Sequence, residues 1–413
     1  MTSRRIIVIG AGAAGMLAAA EAARRGADVT ILEKNSKAGV KILMSGGTRC
    51  NITQNTDAKG IAEAFGRGGR FLQKSVGAFG PNDVVQMFHD AGVATKVEAT
   101  GKVFPQSDRA LHVRDALQRL AINAGANLHL RSPVESFHRD GNEWHVTANG
   151  ETLACDRLIV TSGGRSWPGC GTTGDGYGWL SRLGHTIVPP RPALVPLVGG
   201  YAWTRELSGL TLDECEATVH ERADRKRKPL VRRRSSWLFT HFGFSGPAAM
   251  DVSGVLTAAD SLRDVVLSVD LLPQRTTEEI TAALTDRDRG RRGIETVLAD
   301  WLPNRLATAL ATHHHSMTSI AELPKKSLLS LVNGIKRAEM PVEGTRGFAK
   351  AEVTAGGVAL PEVDPRTMAS RIMPGLYIAG EVLDVDGWIG GYNFQAAFST
   401  GRAAGIAAAL DDQ

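Results

Sequence analysis

The hydrophobic pattern at the start of the chain predicts a buried strand, a helix and a second strand. A continuous apolar, mostly β-branched run at residues 5–9 precedes an alanine-rich stretch over residues 11–25 and a strand-like run at residues 28–33. Continuous apolar runs are typical of strands buried on both faces of a parallel sheet. Alanine favours helix, and Gly26 ends the predicted helix. These elements together form a βαβ unit.

The same patterning predicts the remaining elements of the N-terminal half. They are helices at residues 81–91 and 108–124, a strand at 127–130, a hairpin spanning 134–148 and a buried strand at 157–160. We interpret the following Pro189-Pro190-Arg191-Pro192 segment as a sharp break and a domain boundary, because proline interrupts regular structure.

Beyond this boundary the pattern changes twice. Residues 193–272 favour short strands, and residues 275–335 carry leucine and alanine at helical spacing. A glycine-rich, strand-like pattern returns near residue 350, with a strand at 376–379 and a last helix at 393–410. We therefore expect a discontinuous α/β domain, since neither its first nor its last segment completes a sheet alone.

Composition is that of a globular protein of more than one domain. The chain has 413 residues, and its 46 glycines cluster at sites such as Gly46-Gly47 and Gly390-Gly391. Clustered glycines usually bring backbone close to a phosphate-bearing ligand. No apolar stretch is long enough to span a bilayer and no secretory signal is visible, so we expect a cytoplasmic location.

The cysteine pattern argues against some kinds of site, and the charge pattern suggests one kind of partner. The four cysteines are scattered without a Cys-x-x-Cys pair, which argues against a disulfide framework and a zinc site. The net charge of +5 is concentrated in Arg222–Arg234, where eight Lys or Arg face a single acid, Asp224. This run is either a solvated loop or a surface for nucleic-acid phosphates, with Trp237 positioned to stack a base.

A glycine fingerprint lies between the first strand and helix. Gly10 permits a tight turn, Gly12 lets backbone approach a pyrophosphate, and Gly15 lets the helix pack on the strand. Glu33 ends the next strand, where it would hydrogen-bond an adenosine ribose. This arrangement predicts a dinucleotide bound at the N-terminus of a helix.

The rest of the chain favours FAD over NAD as that dinucleotide. No second glycine fingerprint marks a dedicated NAD domain, whereas Lys41–Asn51 and the terminal Ala379-Gly380-Glu381 supply further ligand loops. A Gly-Glu pair after a buried strand is a common second contact in FAD folds.

Longer motifs resemble the BaiN/RdsA family of NAD(P)/FAD-dependent oxidoreductases from end to end. They are Val8–Gly15, Lys41–Asn51, Thr172–Tyr177, Leu238–Pro247, Glu352–Val358 and Gly380–Gly387 with Gly390–Asn393. The resemblance implies a Rossmann-like two-dinucleotide-binding FAD domain over residues 1–190 and 346–413. A β-barrel-like insert with a helical subdomain at about 275–335 would occupy residues 191–345.

The fingerprint and the resemblance together predict the cofactor-binding residues. These are Gly10, Gly12, Ala13, Ala14, Gly15, Glu33, Lys34, Lys41, Ser45, Gly46, Gly47, Arg49, Cys50, Asn51, Val134, Gly163, Gly380, Glu381, Gly391, Tyr392 and Asn393. Arg49 is expected near phosphate or flavin carbonyls. The backbone amides that open the last helix at Gly391 are expected to face the flavin and stabilise its reduced form.

Cys50, Tyr392 and Asp386 are the candidate proton donors beside the flavin. Cys50 is otherwise a small packed hydrophobe. Asp384 and Asp386 are spaced to point both carboxylates one way, although a capping loop explains that spacing equally well.

Five positions depart from the family pattern. Thr48 replaces an expected third glycine, and Cys170-Gly171 lies in a turn that usually has a different sequence in this family. Trp388 and Ile389 replace smaller or polar residues. Because Trp388 is expected to line the flavin face, the substrate is expected to differ from those of better-known members.

Two histidine motifs are candidate functional sites. Adjacent side chains on a helix do not converge, so His313-His314-His315 is interpreted as a solvated helix end and no metal site is predicted. His241 is either a site residue or a structural histidine.

The predicted reaction is reduction of an activated carbon–carbon double bond, with NAD(P)H as transient hydride donor to FAD. The resemblance implies two substrate types, uracil in ribosomal RNA and enone-bearing steroids, and the basic run favours RNA. The alternatives are a flavin oxidase or hydroxylase and a non-redox protein that binds RNA or another partner. The sequence leaves the oligomeric state open.

Overall fold

The computed structural model describes residues 3–224, 226, 228–286, 288 and 290–410. The described chain divides into two compact units, Met1–Pro192 with Glu352–Gln413 and Ala193–Ala351. Elements are numbered along the whole chain.

The first unit is built around a parallel sheet and contains smaller antiparallel sheets. Its strands are β1 (Arg5–Ile9), β2 (Asp28–Leu32), β3 (Thr53–Gln54), β4 (Thr95–Val97), β5 (Lys102–Pro105), β6 (Asn127–His129), β7 (Val134–Asp140), β8 (Glu143–Ala148), β9 (Glu151–Cys155), β10 (Arg157–Val160), β11 (Ile187–Ala193), β19 (Val353–Val358) and β20 (Leu376–Ile378). Its helices are α1 (Ala13–Ala23), α2 (Val40–Met44), α3 (Ala58–Glu63), α4 (Gly69–Ala78), α5 (Pro81–Asp90), α6 (Ala110–Asn123), α7 (Asp175–Arg182) and α14 (Tyr392–Leu410).

The parallel sheet has the strand order β20-β10-β1-β2-β6. Ile7 and Val8 of the central strand β1 are buried, as the continuous apolar pattern predicts. Parallel pairing of β1 with both β2 and β10 gives the predicted βαβ start. The C-terminal strand β20 completes one side of this sheet by pairing with β10.

The last helix, α14, packs closely along α1 because small residues face it. A Cβ added at Gly401 would lie 2.3 Å from the Ala14 carbonyl oxygen, and one at Gly405 would lie 2.1 Å from that of Ala18. Any side chain at these positions would force the two helices apart. The first and last segments of the chain therefore share one core.

The second unit combines an antiparallel sheet with helices. Its strands are β12 (Leu197–Gly199), β13 (Thr211–Glu221), β14 (Pro229–Thr240), β15 (Gly243–Ser245), β16 (Val265–Asp270), β17 (Ala338–Glu339) and β18 (Val342–Thr345). Its helices are α8 (Ala202–Glu206), α9 (Pro247–Ala258), α10 (Thr277–Ala283), α11 (Ile294–Leu298), α12 (Asn304–His313) and α13 (Lys325–Lys336).

This antiparallel sheet has the order β17-β16-β13-β14-β15-β12-β18. Its two outermost strands, β17 and β18, are consecutive in the chain and are joined by Met340 and Pro341. So short a connection brings the two edges together and makes the sheet barrel-like. Helices α10 to α13 form the predicted helical segment.

Two local predictions are wrong. The proline-rich segment is not a sharp break, since it lies inside β11, which pairs with β19, and proline is tolerated in an edge strand. The two units nevertheless divide there, after Pro192. Residues 193–272 contain the long strands β13 and β14 and the helix α9, which begins with Pro247 at its first turn, rather than only short strands. The predicted hairpin at 134–148 is confirmed as β7 and β8, and it continues into a third strand, β9. Among the described residues, no helix is both long and apolar enough to cross a membrane.

Candidate functional site

The candidate site lies at the carboxyl edge of the parallel sheet of the first unit. Four loops open there, beginning at Gly10 after β1, Glu33 after β2, Thr161 after β10 and Ala379 after β20. Because β1 lies between β2 and β10, the chain leaves it on one side and returns on the other. Such a reversal of strand order creates the crevice in which open α/β sheets bind ligands.

Gly10 and Gly15 have the turn and packing roles that their spacing predicts. Gly10 has a φ of +100°, and a Cβ at Gly15 would lie only 1.9 Å from the Gly10 carbonyl oxygen. A Cβ at Gly12, in contrast, would meet no heavy atom within 4 Å. The Thr161 hydroxyl holds the turn by donating to the carbonyl oxygens of Ile9 (2.9 Å) and Gly10 (3.0 Å). The turn is therefore fixed on its inner side and open at Gly12.

Helix α1 begins at this opening without a side-chain cap at its N-cap residue Gly12. The backbone amides of a first helical turn have no partner within the helix and attract anions. Glu33 is 7% exposed, and its carboxylate accepts from the amides of Ala11 and Asn35, both at 2.8 Å. The carboxylate is thereby fastened beside the glycine turn.

A hydrogen-bonded network joins the loops after β10 and β20 to helix α2. Lys41 Nζ contacts Glu381 Oε2 at 2.5 Å and Ser166 Oγ at 2.6 Å. Glu381 Oε1 accepts from the Ser166 hydroxyl (2.7 Å) and from the Thr354 amide (2.9 Å). Burial raises the pKa of nearby Glu352, opposed by the charge of Lys41. The network orients Lys41 and Glu381, two predicted cofactor-binding residues.

The loop from Ser45 to Asn51 has an unusual backbone. Gly46, Gly47, Thr48 and Cys50 all have φ between 55° and 69°. Thr48, which replaces the glycine of the family pattern, has a φ of 69° and is strained because a β-branched side chain disfavours this region. The Ser45 hydroxyl donates to the Ile42 carbonyl oxygen at 2.7 Å and anchors the loop to α2.

Arg49 is engaged by protein groups rather than left available for phosphate. Its Nε donates to Asp108 Oδ1 at 2.8 Å, its Nη2 pairs with Glu98, and its guanidinium lies 4.0 Å from the centre of the Phe104 ring. Lys96, then Arg49, holds the pKa of Asp108 below its ordinary value. The expected contact of Arg49 with phosphate or flavin carbonyls would require these pairs to rearrange.

Cys50 is completely buried, and burial raises the pKa of its thiol to about 12. The geometry favours the packed-hydrophobe interpretation, because the side chain has no surface exposed to a substrate.

The loop from Asp384 to Gly391 is held on the start of α14 by Asn393. Its Oδ1 accepts from the Gly387 amide at 2.9 Å, and its Nδ2 donates to the carbonyl oxygens of Gly387 and Trp388. Trp388 contacts Tyr392 edge to face, with ring centroids 6.1 Å apart. The side chain of Asn393 is thus occupied by this loop.

Asp386 is the most perturbed carboxyl of this loop. Burial, with the charge of Asp384 added to it, raises the pKa of Asp386 to about 6. Burial also raises the pKa of Asp384.

The glycines before α14 are required by packing. A Cβ at Gly391 would lie 2.5 Å from the carbonyl carbon of Thr53. The side-chain amide of Asn51 is oriented so that its oxygen meets a donor and its nitrogen meets an acceptor. In this orientation Oδ1 accepts from the Gly391 amide at 3.0 Å and Nδ2 donates to the Val103 carbonyl oxygen at 3.1 Å. The Gly391 amide is therefore already bound by Asn51 and is not among the free amides at the start of this helix.

The remaining predicted cofactor-binding residues lie around the same edge. Lys34 Nζ contacts Asp175 Oδ2 at 2.5 Å, which ties the 172–177 motif to the end of β2. Gly163 and Gly380 have φ of +75° and +79°, and Val134 begins β7 half-buried.

Sequence reasoning missed two buried hydroxyls. Ser162 Oγ and Tyr177 Oη are buried without a hydrogen-bond partner among the described residues. Burial, then the charge of Glu381, raises the pKa of Tyr177. Ser162 lies in the loop after β10, and Tyr177 is the last residue of the 172–177 motif. These two positions are the sequence signal from which both residues could have been predicted. A buried polar atom without a partner is costly and is expected to bind a ligand or water.

The basic run of the second unit is not a loop throughout. Arg232, Arg233 and Arg234 lie in β14. Their carboxylate partners are Glu216 at 3.4 Å, Asp251 at 2.9 Å and Glu214 at 2.8 Å, respectively. Each arginine of this triplet is therefore ion-paired, which reduces the positive charge that the triplet offers to phosphates. Arg225 and Arg227 lie outside the described residues.

The structure also shows the surroundings of Trp237 and of the histidines that the sequence singled out in this unit. Trp237 is fully buried with its ring 5.0 Å from that of Phe244, so the predicted base stacking is wrong. His241 is exposed. His314 is held by Ser330 at 2.8 Å, and burial lowers the pKa of His314 to about 4. Within the described part of the chain, no three His, Cys, Asp or Glu residues are grouped to hold a metal ion.

Comparisons with known proteins identify relatives over the full length of the chain. The chain is 32% identical over 403 residues to a ribosomal RNA dihydrouridine synthase of Escherichia coli (strain K12), covering 96% of each protein. It is 31% identical over 412 residues to a 3-dehydro-bile acid delta(4,6)-reductase of Clostridium scindens, covering 98% of this chain and 99% of that protein.

The fold is shared with solved structures. A 3-ketosteroid-delta4-(5alpha)-dehydrogenase from Rhodococcus jostii RHA1 superposes with a TM-score of 0.51 at 16% identity, covering 100% of this chain and 98% of that one. At this identity the likeness concerns the fold, and it confirms the predicted class.

The HI0933-like protein Rossmann domain matches residues 4–407. That match and the full-length relatives confirm the resemblance seen in the motifs. The chain belongs to the HI0933-like protein Rossmann domain family.

Proposed function

We propose that this protein is an FAD-dependent oxidoreductase that reduces an activated carbon–carbon double bond, with uracil in ribosomal RNA as its substrate. The names of its relatives describe a dihydrouridine synthase and a delta(4,6)-reductase. Saturating a uracil ring and saturating a conjugated steroid both add hydride and a proton across a double bond activated by a carbonyl group. The common chemistry supports the proposed reaction class.

The observation that carries the proposed cofactor is the opening at Gly12. An added Cβ would meet nothing within 4 Å there, directly before the uncapped start of α1. A diphosphate suits this place because helical amides donate to its oxygens and the helix dipole favours its charge. Glu33, fixed at the end of β2, would exchange one backbone contact for the adenosine ribose.

The flavin end of the cofactor would lie towards the loops after β10 and β20. The Lys41–Glu381 pair and the unpartnered hydroxyls of Ser162 and Tyr177 supply polar groups for the ribityl chain and the ring edge. When bound, FAD supplies a hydride acceptor and donor, and we propose NAD(P)H as the transient source of that hydride.

We propose that Asp386, rather than Cys50, donates the proton that is added to the substrate. The Asp386 carboxyl, with a pKa of about 6, remains partly protonated near neutral pH, as a general acid requires. The Cys50 thiol is inaccessible and holds its proton tightly. Tyr392, beside Trp388, is the second candidate, since its hydroxyl can donate a proton at neutral pH.

The test is anaerobic reduction and reoxidation of the purified holoenzyme. NAD(P)H is expected to bleach the flavin absorbance, and uridine-containing RNA is expected to restore it. Faster restoration by a steroidal enone than by RNA would favour the small-molecule alternative. Absence of bleaching by NADH and by NADPH would contradict the oxidoreductase. In a separate aerobic assay, stoichiometric oxygen consumption without RNA would favour an oxidase.

A further inference from the structure

The tip of the β13–β14 hairpin differs in charge from the strand that follows it. Arg222, Lys226 and Lys228 are exposed, and within the described part of the chain none of them has a carboxylate ion-pair partner. Arg222 Nε donates only to a backbone oxygen, that of Arg263, at 2.9 Å. The described cations of the tip are therefore not held in ion pairs, whereas the β14 arginines are.

Asp224, the acid within the tip, is committed to the turn itself. Its two carboxylate oxygens accept from the backbone amides of Lys226 (2.9 Å) and Lys228 (2.8 Å). These amides hold the pKa of Asp224 below its ordinary value. Because both of its oxygens accept from backbone amides, this carboxylate fixes the turn.

A groove of about 630 Å³ adjoins this tip. Its apolar floor includes Leu230, which is 49% exposed, and Val255. Glu221, Asp260 and Asp264 also line it. Carboxylates repel phosphate but accept hydrogen bonds from base amino and imino groups, so the groove suits an unstacked base while the cations beside it suit phosphates.

We propose that the hairpin tip and its groove bind single-stranded RNA. Arg222, Lys226 and Lys228 would contact phosphates, and one unpaired base would lie against Leu230. This assignment rests on the proposed RNA substrate and identifies the surface that binds it. Proteins commonly recognise single-stranded RNA by combining phosphate contacts with burial of splayed bases.

The test compares the holoenzyme with variants in RNA affinity measured across a salt series, using a fluorescent single-stranded rRNA fragment. The tip variant Arg222→Gln/Lys226→Gln/Lys228→Gln is expected to flatten the log–log salt dependence by about 2, at roughly 0.7 per lost single-strand contact. The matched control Lys325→Gln/Lys326→Gln/Arg337→Gln removes the same charge from exposed positions of and after α13 and is expected to keep the wild-type slope.

Leu230→Ser separates the base contact from the phosphate contacts. It is expected to lower affinity several-fold at every salt concentration and to leave the slope unchanged, since it removes no charge. Equal slopes for wild type and tip variant would overturn the tip assignment, and so would binding of poly-glutamate as tight as that of RNA. Unchanged affinity in Leu230→Ser would overturn the base contact.

A second readout distinguishes this inference from the proposed function. If wild type forms dihydrouridine in RNA while the tip variant binds and reacts normally, the function stands and the tip assignment fails. If the tip variant loses RNA binding but wild type forms no dihydrouridine, the surface stands and the substrate assignment fails. Unchanged flavin content and melting temperature in each variant establish that it is folded.

Discussion

Substituting Gly12 by valine should separate cofactor binding from folding. Gly12 has φ −82° and ψ −170°, an extended backbone that valine adopts readily, and an added Cβ meets no heavy atom within 4 Å. The free energy of unfolding of the apoprotein should therefore change by no more than about 0.5 kcal/mol, as for surface substitutions. The new side chain would instead occupy the space in which we place the pyrophosphate.

The loss in FAD affinity can be estimated from the contacts that valine would displace. Two charge-assisted hydrogen bonds from the first turn of α1, at about 1.5–3 kcal/mol each, amount to about 3–6 kcal/mol. This corresponds to roughly 10²- to 10⁴-fold weaker binding. The protein should then be purified without its yellow colour, and added FAD should no longer raise its melting temperature.

Two further glycine variants serve as controls. Gly77→Val places the same side chain in open space on the exposed face of α4 and should keep wild-type flavin content. Gly15→Ala places a Cβ 1.9 Å from the Gly10 carbonyl oxygen and should destabilise even the apoprotein by more than about 1–3 kcal/mol. Stoichiometric FAD in Gly12→Val, measured by absorbance and by thermal melts, would refute the placement of the pyrophosphate.

Three other substitutions test separate parts of the account. Asp386→Asn should raise stability at pH 8 by up to about 3 kcal/mol. The folded-state pKa of about 6 exceeds the unfolded value, so the wild type loses stability as pH rises from about 4 to 6. If the higher melting temperature of Asp386→Asn relative to wild type did not shrink towards pH 4, this reasoning would be contradicted. The same variant should lose roughly 10²- to 10⁴-fold in turnover, and the turnover that remains should lack the decline that we expect above pH 6. Thr48→Gly should raise the free energy of unfolding by about 0.5–1 kcal/mol, because relief of left-handed strain exceeds the entropic cost of glycine; a lower melting temperature would argue against strain at Thr48. Gly405→Val should separate α14 from α1 and prevent accumulation of folded protein, whereas a normal melt would show that this contact tolerates a side chain.

The sequence predicted those features that depend on local pattern. The strand at residues 5–9 and the roles of Gly10 in the turn and Gly15 in helix packing follow from backbone geometry within a few residues. The α/β class followed because buried parallel strands read as continuous apolar runs. Position after a buried strand also placed Glu33 and Glu381 at one edge of the sheet.

Features set by partners distant in the chain could not be predicted in this way. The neutralisation of Arg234 depends on the register of β14 against β13, which brings Glu214 within 2.8 Å. Arg49 is likewise bound by Glu98 and Asp108, and the amide of Gly391 by Asn51. The basic run looked uniform in the sequence because its neutralising carboxylates come from other elements.

The central claim, that this flavoprotein reduces uracil in ribosomal RNA, is tested most directly by nucleoside mass spectrometry. Ribosomal RNA would be compared from cells that carry the gene, from cells that lack it, and from cells complemented with wild type or Gly12→Val. The account predicts a dihydrouridine that disappears with the gene, returns with wild type and does not return with Gly12→Val. Equal dihydrouridine content in all four samples would contradict it.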